Sequence, residues 1–430
     1  MRTEPLRVRV ARGMDAFAAR PWAPAVLIAG CVAMLPLRLG VETLVAMLTL
    51  IGLALIWSRG PAWWARDPAA RRFGLWFLAL WLPMCTALPD AVDPTNAWRV
   101  TLGFARLYWA GLAVIFFFAQ VHTRERFQRL VAVVVGFWIV DALIQAAFGR
   151  DLFGLEYPEF RLNGIFGDNL KLGIVLAAWS PIALLVAHAR GWGALRLTAL
   201  VAVTVVVFLS NGRTAWLLFG VVVLGYLVWQ WRSGGRRPWR QGLMAVVFLA
   251  ALVTAGYHFS ERIAWRIDQT VALLGGDSGS VSHALSNRPV IWSVASRIVA
   301  AHPINGVGPR GFRTAYLDHA EPDDRFVELY KGTQGAHHPH MQWLEVLTET
   351  GLIGLAGLLL ALFWLLRAWL KASAARRAQS LPYALAVLAA FFPLNSTLAL
   401  YSAFWSQNVL LIVALYFAVI AREDANAVRS

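Results

Sequence analysis

His337-His338-Pro339-His340, followed at once by Met341-Gln342-Trp343-Leu344-Glu345-Val346-Leu347-Thr348-Glu349-Thr350-Gly351-Leu352-Ile353-Gly354, sets three imidazoles at the mouth of a long apolar helix. The apolar run continues past Leu358, which is membrane-span length. Pro339 suits the first helical position, where no amide hydrogen is needed, and His338 then falls near the N-cap. A helix start offers free N–H groups and partial positive charge, which favour a neighbouring anion and a neutral imidazole. A neutral histidine beside an anion site is what a general base requires. The competing reading is that the histidines merely decorate a membrane boundary.

Composition decides the class. Of 430 residues 59% are hydrophobic and only 15% charged, too apolar for one soluble core, so an all-α polytopic membrane protein is expected. The 21 Trp fit interfacial belts. The net charge of +15 comes from short Arg clusters between apolar runs, so it reads as membrane topology, and nucleic acid is not an expected partner. Cys31 and Cys85 both lie inside apolar runs, which argues against a disulfide framework or a thiolate metal site. The basic N-terminus leads into an apolar stretch without a convincing cleavage site and is expected to be a retained first helix.

At roughly 17 to 25 apolar residues per span there are about twelve candidates. They centre near Leu27, Met47, Leu78, Gly111, Val135, Val175, Val203, Val221, Val247, Leu358, Val387 and Leu411. Basic clusters follow every second one: Arg59, Arg66, Arg71 and Arg72; Arg124, Arg126 and Arg129; Arg190 and Arg196; Arg232, Arg236, Arg237 and Arg240; Arg367, Lys371, Arg376 and Arg377. The positive-inside rule then places these loops and both termini in the cytoplasm. Residues 1–258 are read as spans one to nine, 259–340 as a helical periplasmic insertion before the tenth span, and 341–430 as spans ten to twelve.

The insertion has helical periodicity. Ile263, Ile267, Val271 and Leu274 suit a surface-lying helix, and Ile291, Val294 and Ile298 a second one over 287–301 with Pro289 in its first turn. Gly306, Gly308 and Gly311 form Gly-x-Gly-x-x-Gly, but no strand precedes them and Pro309 interrupts, so a tight turn is expected and not a dinucleotide site. Asp323 and Asp324 are too few carboxylates to suggest a metal centre. Glu345 and Glu349 share a helical face with His338 and Gln342, where they could line a cavity, orient an imidazole or simply pack as polar lining. Arg161, Lys171, Arg213 and Arg288 all fall at the outer boundary, where cations are normally sparse. Arg213 sits in a turn so short that it must snorkel or meet an anion. Several guanidinium forks together would suit a pyrophosphate, and a lipid-linked pyrophosphate donor would fit the setting.

These residues carry a resemblance. Arg161-Leu162-Asn163-Gly164-Ile165-Phe166, Asn211-Gly212-Arg213-Thr214-Ala215, Asn287-Arg288-Pro289-Val290-Ile291-Trp292 and Pro303-Ile304-Asn305-Gly306-Val307-Gly308 resemble, in order, motifs of the O-antigen ligase and polymerase superfamily of bacterial inner-membrane glycosyltransferases. His340, with Gly351 and Gly354 at the matching distance, is similar to its His-(Asn/Ser/Gln)-x9-Gly-x-x-Gly signature, although Met341 replaces the usual polar residue. The resemblance covers about residues 155 to 360 and is greatest to the O-antigen ligases. It implies a metal-independent, cofactor-free inverting transfer of O-antigen from undecaprenyl diphosphate to lipid A-core at the periplasmic face of the inner membrane. His340 or His338 would be the base, and Arg161, Arg213, Arg288 and, less centrally, Lys171 would hold the diphosphate. A polymerase or a protein O-oligosaccharyltransferase would share the donor. A transporter would place its charges near the bilayer midplane instead.

Overall fold

All twelve expected span centres lie within α-helices of the computed structural model, which describes residues 4–156, 161–189, 193–233, 238–271, 287–396 and 398–422. In chain order these helices include α1 (Leu6–Ala18), α2 (Ala23–Ala33), α3 (Arg38–Arg59), α4 (Pro61–Arg66), α5 (Pro68–Thr86), α6 (Pro94–Phe117), α7 (Val121–Phe148), α8 (Leu172–Ala189) and α9 (Gly193–Leu209). There follow α10 (Arg213–Arg232), α11 (Pro238–Phe259), α12 (Glu261–Val271), α13 (Arg288–Ala301), α14 (Phe312–His319), α15 (Arg325–Leu329), α16 (Gln342–Lys371), α17 (Ala374–Phe391) and α18 (Ala403–Ile420). The protein is all-α, with no named strand among the described residues. Leu274, Arg190, Arg236 and Arg237, used in reading the sequence, lie outside them.

Among the described residues six helices are long and apolar enough to cross a membrane: α3, α6, α7, α10, α16 and α18. A seventh arises if α1 and α2, bent by 74°, count as one broken span. By length and composition among the described residues, six or seven spans are met, consistent with the expected all-α polytopic membrane protein. The helices α8, α9 and α11 contain the further apolar stretches Leu172–Leu185, Leu197–Leu209 and Val246–Phe259. α5 and α17 each carry an arginine pair near their start.

The chain divides into two compact units. One comprises 1–130, 291–387 and 396–430; the other comprises 131–290 and 388–395. In the first, α3 packs on α6, α16 on α5, and α18 on both α5 and α6. The second half of the insertion builds its own small core there, with Ile291, Val294 and Ile298 of α13 against Phe312 and Tyr316 of α14. In the second unit, α8 packs on α9 and α10, and α11 on α10 and α12.

The entry to α16 differs from expectation. The helix begins at Gln342 with Met341 as its N-cap, so Pro339 is not its first residue and His338 is not its cap. The reason is local: His340 takes a φ of +52°, outside the right-handed region, and Met341 is extended.

Candidate functional site

Three of the four expected cations come together in the second unit. Arg161 stands in the segment between α7 and α8, Arg213 is the first residue of α10, and Arg288 the first of α13. Each of the two helix starts follows an asparagine with positive φ, Asn211 at +51° and Asn287 at +57°, which turns the chain sharply into the helix. Burial pushes Arg288 down to about 10, and the like charges of Arg213 and Arg161 lower it further. Burial also lowers Arg161. Cations at a helix N-terminus are disfavoured by the dipole, so three partly buried guanidinium groups with two helix starts concentrate positive potential. An anion would relieve it, and two phosphates could be gripped by forks from different directions. Lys171 is not among the charges acting on Arg288; its ammonium reaches Asn169 Oδ1 at 3.4 Å.

The segment carrying Arg161 is held by two side chains that the sequence reading passed over. Asp141 of α7 accepts from Leu152 N at 3.1 Å and Ile165 N at 2.7 Å. Gln145, one turn on, accepts from Asn163 N and Gly164 N and donates to the carbonyls of Leu155 and Glu156. Gly164 has φ +48°, and a Cβ there would lie 2.7 Å from Asp141 Oδ2, so this approach needs glycine. Asp141 and Gln145 are fully buried. A polar pair four residues apart inside an apolar helix was the available signal.

The imidazoles are in the first unit. The rings of His338 and His340 lie 4.1 Å apart between centroids. His340 N–H donates to His338 Nδ1 at 3.2 Å, and His340 Nδ1 lies 3.2 Å from Ser396 O. A carbonyl only accepts, so His340 Nδ1 carries a proton, and in the neutral tautomer this leaves the lone pair on Nε2. The peptide between the two histidines is fixed as well, because Trp292 Nε1 donates to Pro339 O at 3.0 Å. Trp292 lies one helical turn beyond Arg288 on α13. His337 faces elsewhere, edge-on to Tyr330. Burial, then Arg313 and Arg310, hold it below the usual histidine range. Its neutrality thus has a different cause from the helix start inferred from sequence.

Glu345 and Glu349 are buried as lining with specific tasks. Glu345 accepts from Leu400 N at 2.6 Å and Tyr401 N at 3.3 Å, tying down the segment that carries Ser396. Glu349 accepts from Arg310 N at 2.5 Å. Gln342 is also buried, and neither atom of its amide has a hydrogen-bond partner. Asp324 caps α15 and accepts from Tyr316 Oη at 2.8 Å.

The Gly-x-Gly-x-x-Gly run is a tight turn, as expected. Val307 N donates to Thr348 O at 3.0 Å, and Val307 O accepts from Val92 N. α16 is broken at Gly351, with φ +63° and ψ −161°, and the amides of Leu352 and Ile353 donate out of the helix to Pro303 O and Ile304 O. The spacing from His340 to Gly351 thus measures the distance from the imidazole to the docking point of this turn.

Comparison with known proteins reaches part of the chain. Residues 198–359 match the family model described as O-antigen ligase. Curated relatives include undecaprenyl phosphate-alpha-4-amino-4-deoxy-L-arabinose arabinosyl transferases of Pseudomonas paraeruginosa and Pseudomonas aeruginosa. Both are 28% identical over 201 residues, covering 44% of this chain and 33% of the relative. The chain thus spans about a third of the length of these curated relatives.

Proposed function

Taking residues 198–359 as the O-antigen ligase domain of a membrane glycosyltransferase, we propose that this chain transfers O-antigen from undecaprenyl diphosphate to lipid A-core. The reaction would take place at the periplasmic face of the bacterial inner membrane. The observation that carries the proposal is the meeting of Arg161, Arg213 and Arg288, which suits a donor whose leaving group is a diphosphate. The His338–His340 pair supplies the base. It takes the proton from an acceptor hydroxyl as that oxygen attacks the anomeric carbon from the face opposite the diphosphate. The bond to the diphosphate breaks with inversion, and the charge gathering on the departing group is held by the three arginines, with Lys171 as a further cation. No metal is needed in this scheme. Positioned proton transfer contributes about a hundred- to ten-thousandfold in rate, and one preorganised charge stabiliser about a hundred- to a thousandfold. The buried amide of Gln342, two residues from His340, would address the acceptor.

Lipopolysaccharide analysis of a deletion strain tests the choice of acceptor. Lipid A-core without O-antigen, with polymer accumulating on the lipid carrier, is the result expected of a ligase. A single capped repeat unit would assign the chain to polymerisation instead, and unaltered lipopolysaccharide with loss of glycosylated protein would assign it to protein O-glycosylation.

A further inference from the structure

Arg71 and Arg72 near the start of α5 and Arg367 and Lys371 at the end of α16 are far apart in sequence, yet they line one cavity of about 500 Å³. Leu75 and Trp364 form its apolar wall, and the Arg367 guanidinium lies 5.6 Å from the centroid of the Trp364 ring. α5 and α16 pack along one another within a single unit. Lys371 is the last residue of α16, one of the membrane spans, which sets the cavity at headgroup depth.

Four like charges around one space repel, and among the described residues no carboxylate lines it. The acidic residue next to α5, Asp67, already caps that helix through Ala69 N and Ala70 N and accepts from Arg422 at 3.3 Å. Arg71 and Arg72 stand near the positive end of the α5 dipole, which adds to the demand for negative charge. The positive-inside rule accounts for cations at this depth. It does not account for two segments converging on one cavity with a tryptophan wall.

We propose that this cavity binds the headgroup of an anionic phospholipid. The phosphate lies among Arg71, Arg72, Arg367 and Lys371, and the start of an acyl chain runs along Leu75 and Trp364. Basic pockets between membrane helices are suited to such headgroups, and the size is that of a small-molecule site.

Native mass spectrometry of the full chain in detergent, titrated with phosphatidylglycerol, phosphatidylcholine or inorganic phosphate, tests this. One phosphatidylglycerol per chain is expected to be retained, with phosphatidylcholine lost under the same conditions. Each cation is worth about fivefold, so the triple variant Arg71→Gln, Arg367→Gln, Lys371→Gln should weaken retention about a hundredfold. Arg9→Gln, Arg20→Gln, Arg129→Gln removes the same charge elsewhere and should leave retention unchanged. Single Arg367→Gln and Lys371→Gln variants, at exposed positions, carry the test should the triple variant not fold. Equal loss in the charge-matched control, equal retention of phosphatidylcholine, or full competition by inorganic phosphate alone would overturn the assignment.

Discussion

Arg288 is the residue on which the proposed diphosphate site can be tested most sharply. Its guanidinium is partly buried at a helix start, and Arg213 and Arg161 are near enough to lower its pKa further. Such a gathering of guanidinium groups suits a diphosphate. Arg288→Ala is therefore expected to lower transfer about a hundred- to a thousandfold, with the chain still inserted in the membrane, as checked by lipopolysaccharide ladders and membrane fractionation. Arg288→Lys should restore little, since an ammonium cannot reproduce the bidentate fork. Gln342 argues in the opposite direction: its buried, unsatisfied amide is a cost in the resting protein. Gln342→Leu should raise stability by about 1 kcal/mol in a denaturation experiment while impairing transfer. For His337, whose folded value is below 6.5, the unfolded chain binds more protons just under that pH. Stability should rise as pH climbs toward 6.5, and His337→Gln should flatten that rise in unfolding curves measured between about pH 5 and 7.

At the level of the helix, α16 joins the imidazole entry to the break at Gly351. A Cβ at Gly351 would lie 2.0 Å from Ile304 O, in a backbone region that only glycine adopts readily. Gly351→Ala should cost about 3 kcal/mol or more, read as a lower melting temperature or loss of the folded chain from membranes. The helices were legible in the sequence because apolar length alone marks them, and so was the insertion's second helix, whose Ile291, Val294 and Ile298 face one core. The start of α16 was not. Pro339 satisfies the general rule for a first helical residue, but the hydrogen bonds to His338, Ser396 and Trp292 hold the preceding loop in another shape. Asp141 and Gln145 were missed for a related reason: their partners are backbone amides and carbonyls of a loop, which carry no residue signature.

For the whole molecule, the cations were legible as a set because the loop-charge pattern of the sequence assigns them to the side where cations are expected to be sparse, and three of them meet. The spans were legible too: every expected centre lies in a helix, and six helices among the described residues are long and apolar enough to cross a membrane. What joins these features is the proposal that a guanidinium cluster and an imidazole pair serve one glycosyl transfer. The direct measurement is transfer by the purified chain in liposomes supplied with undecaprenyl-diphosphate-linked O-antigen and lipid A-core, using wild type, Arg288→Ala, His338→Ala and His340→Ala. The proposal requires ligated product from wild type and at least about a hundredfold less from Arg288→Ala and from one or both histidine variants. Near wild-type product from all three variants would contradict it.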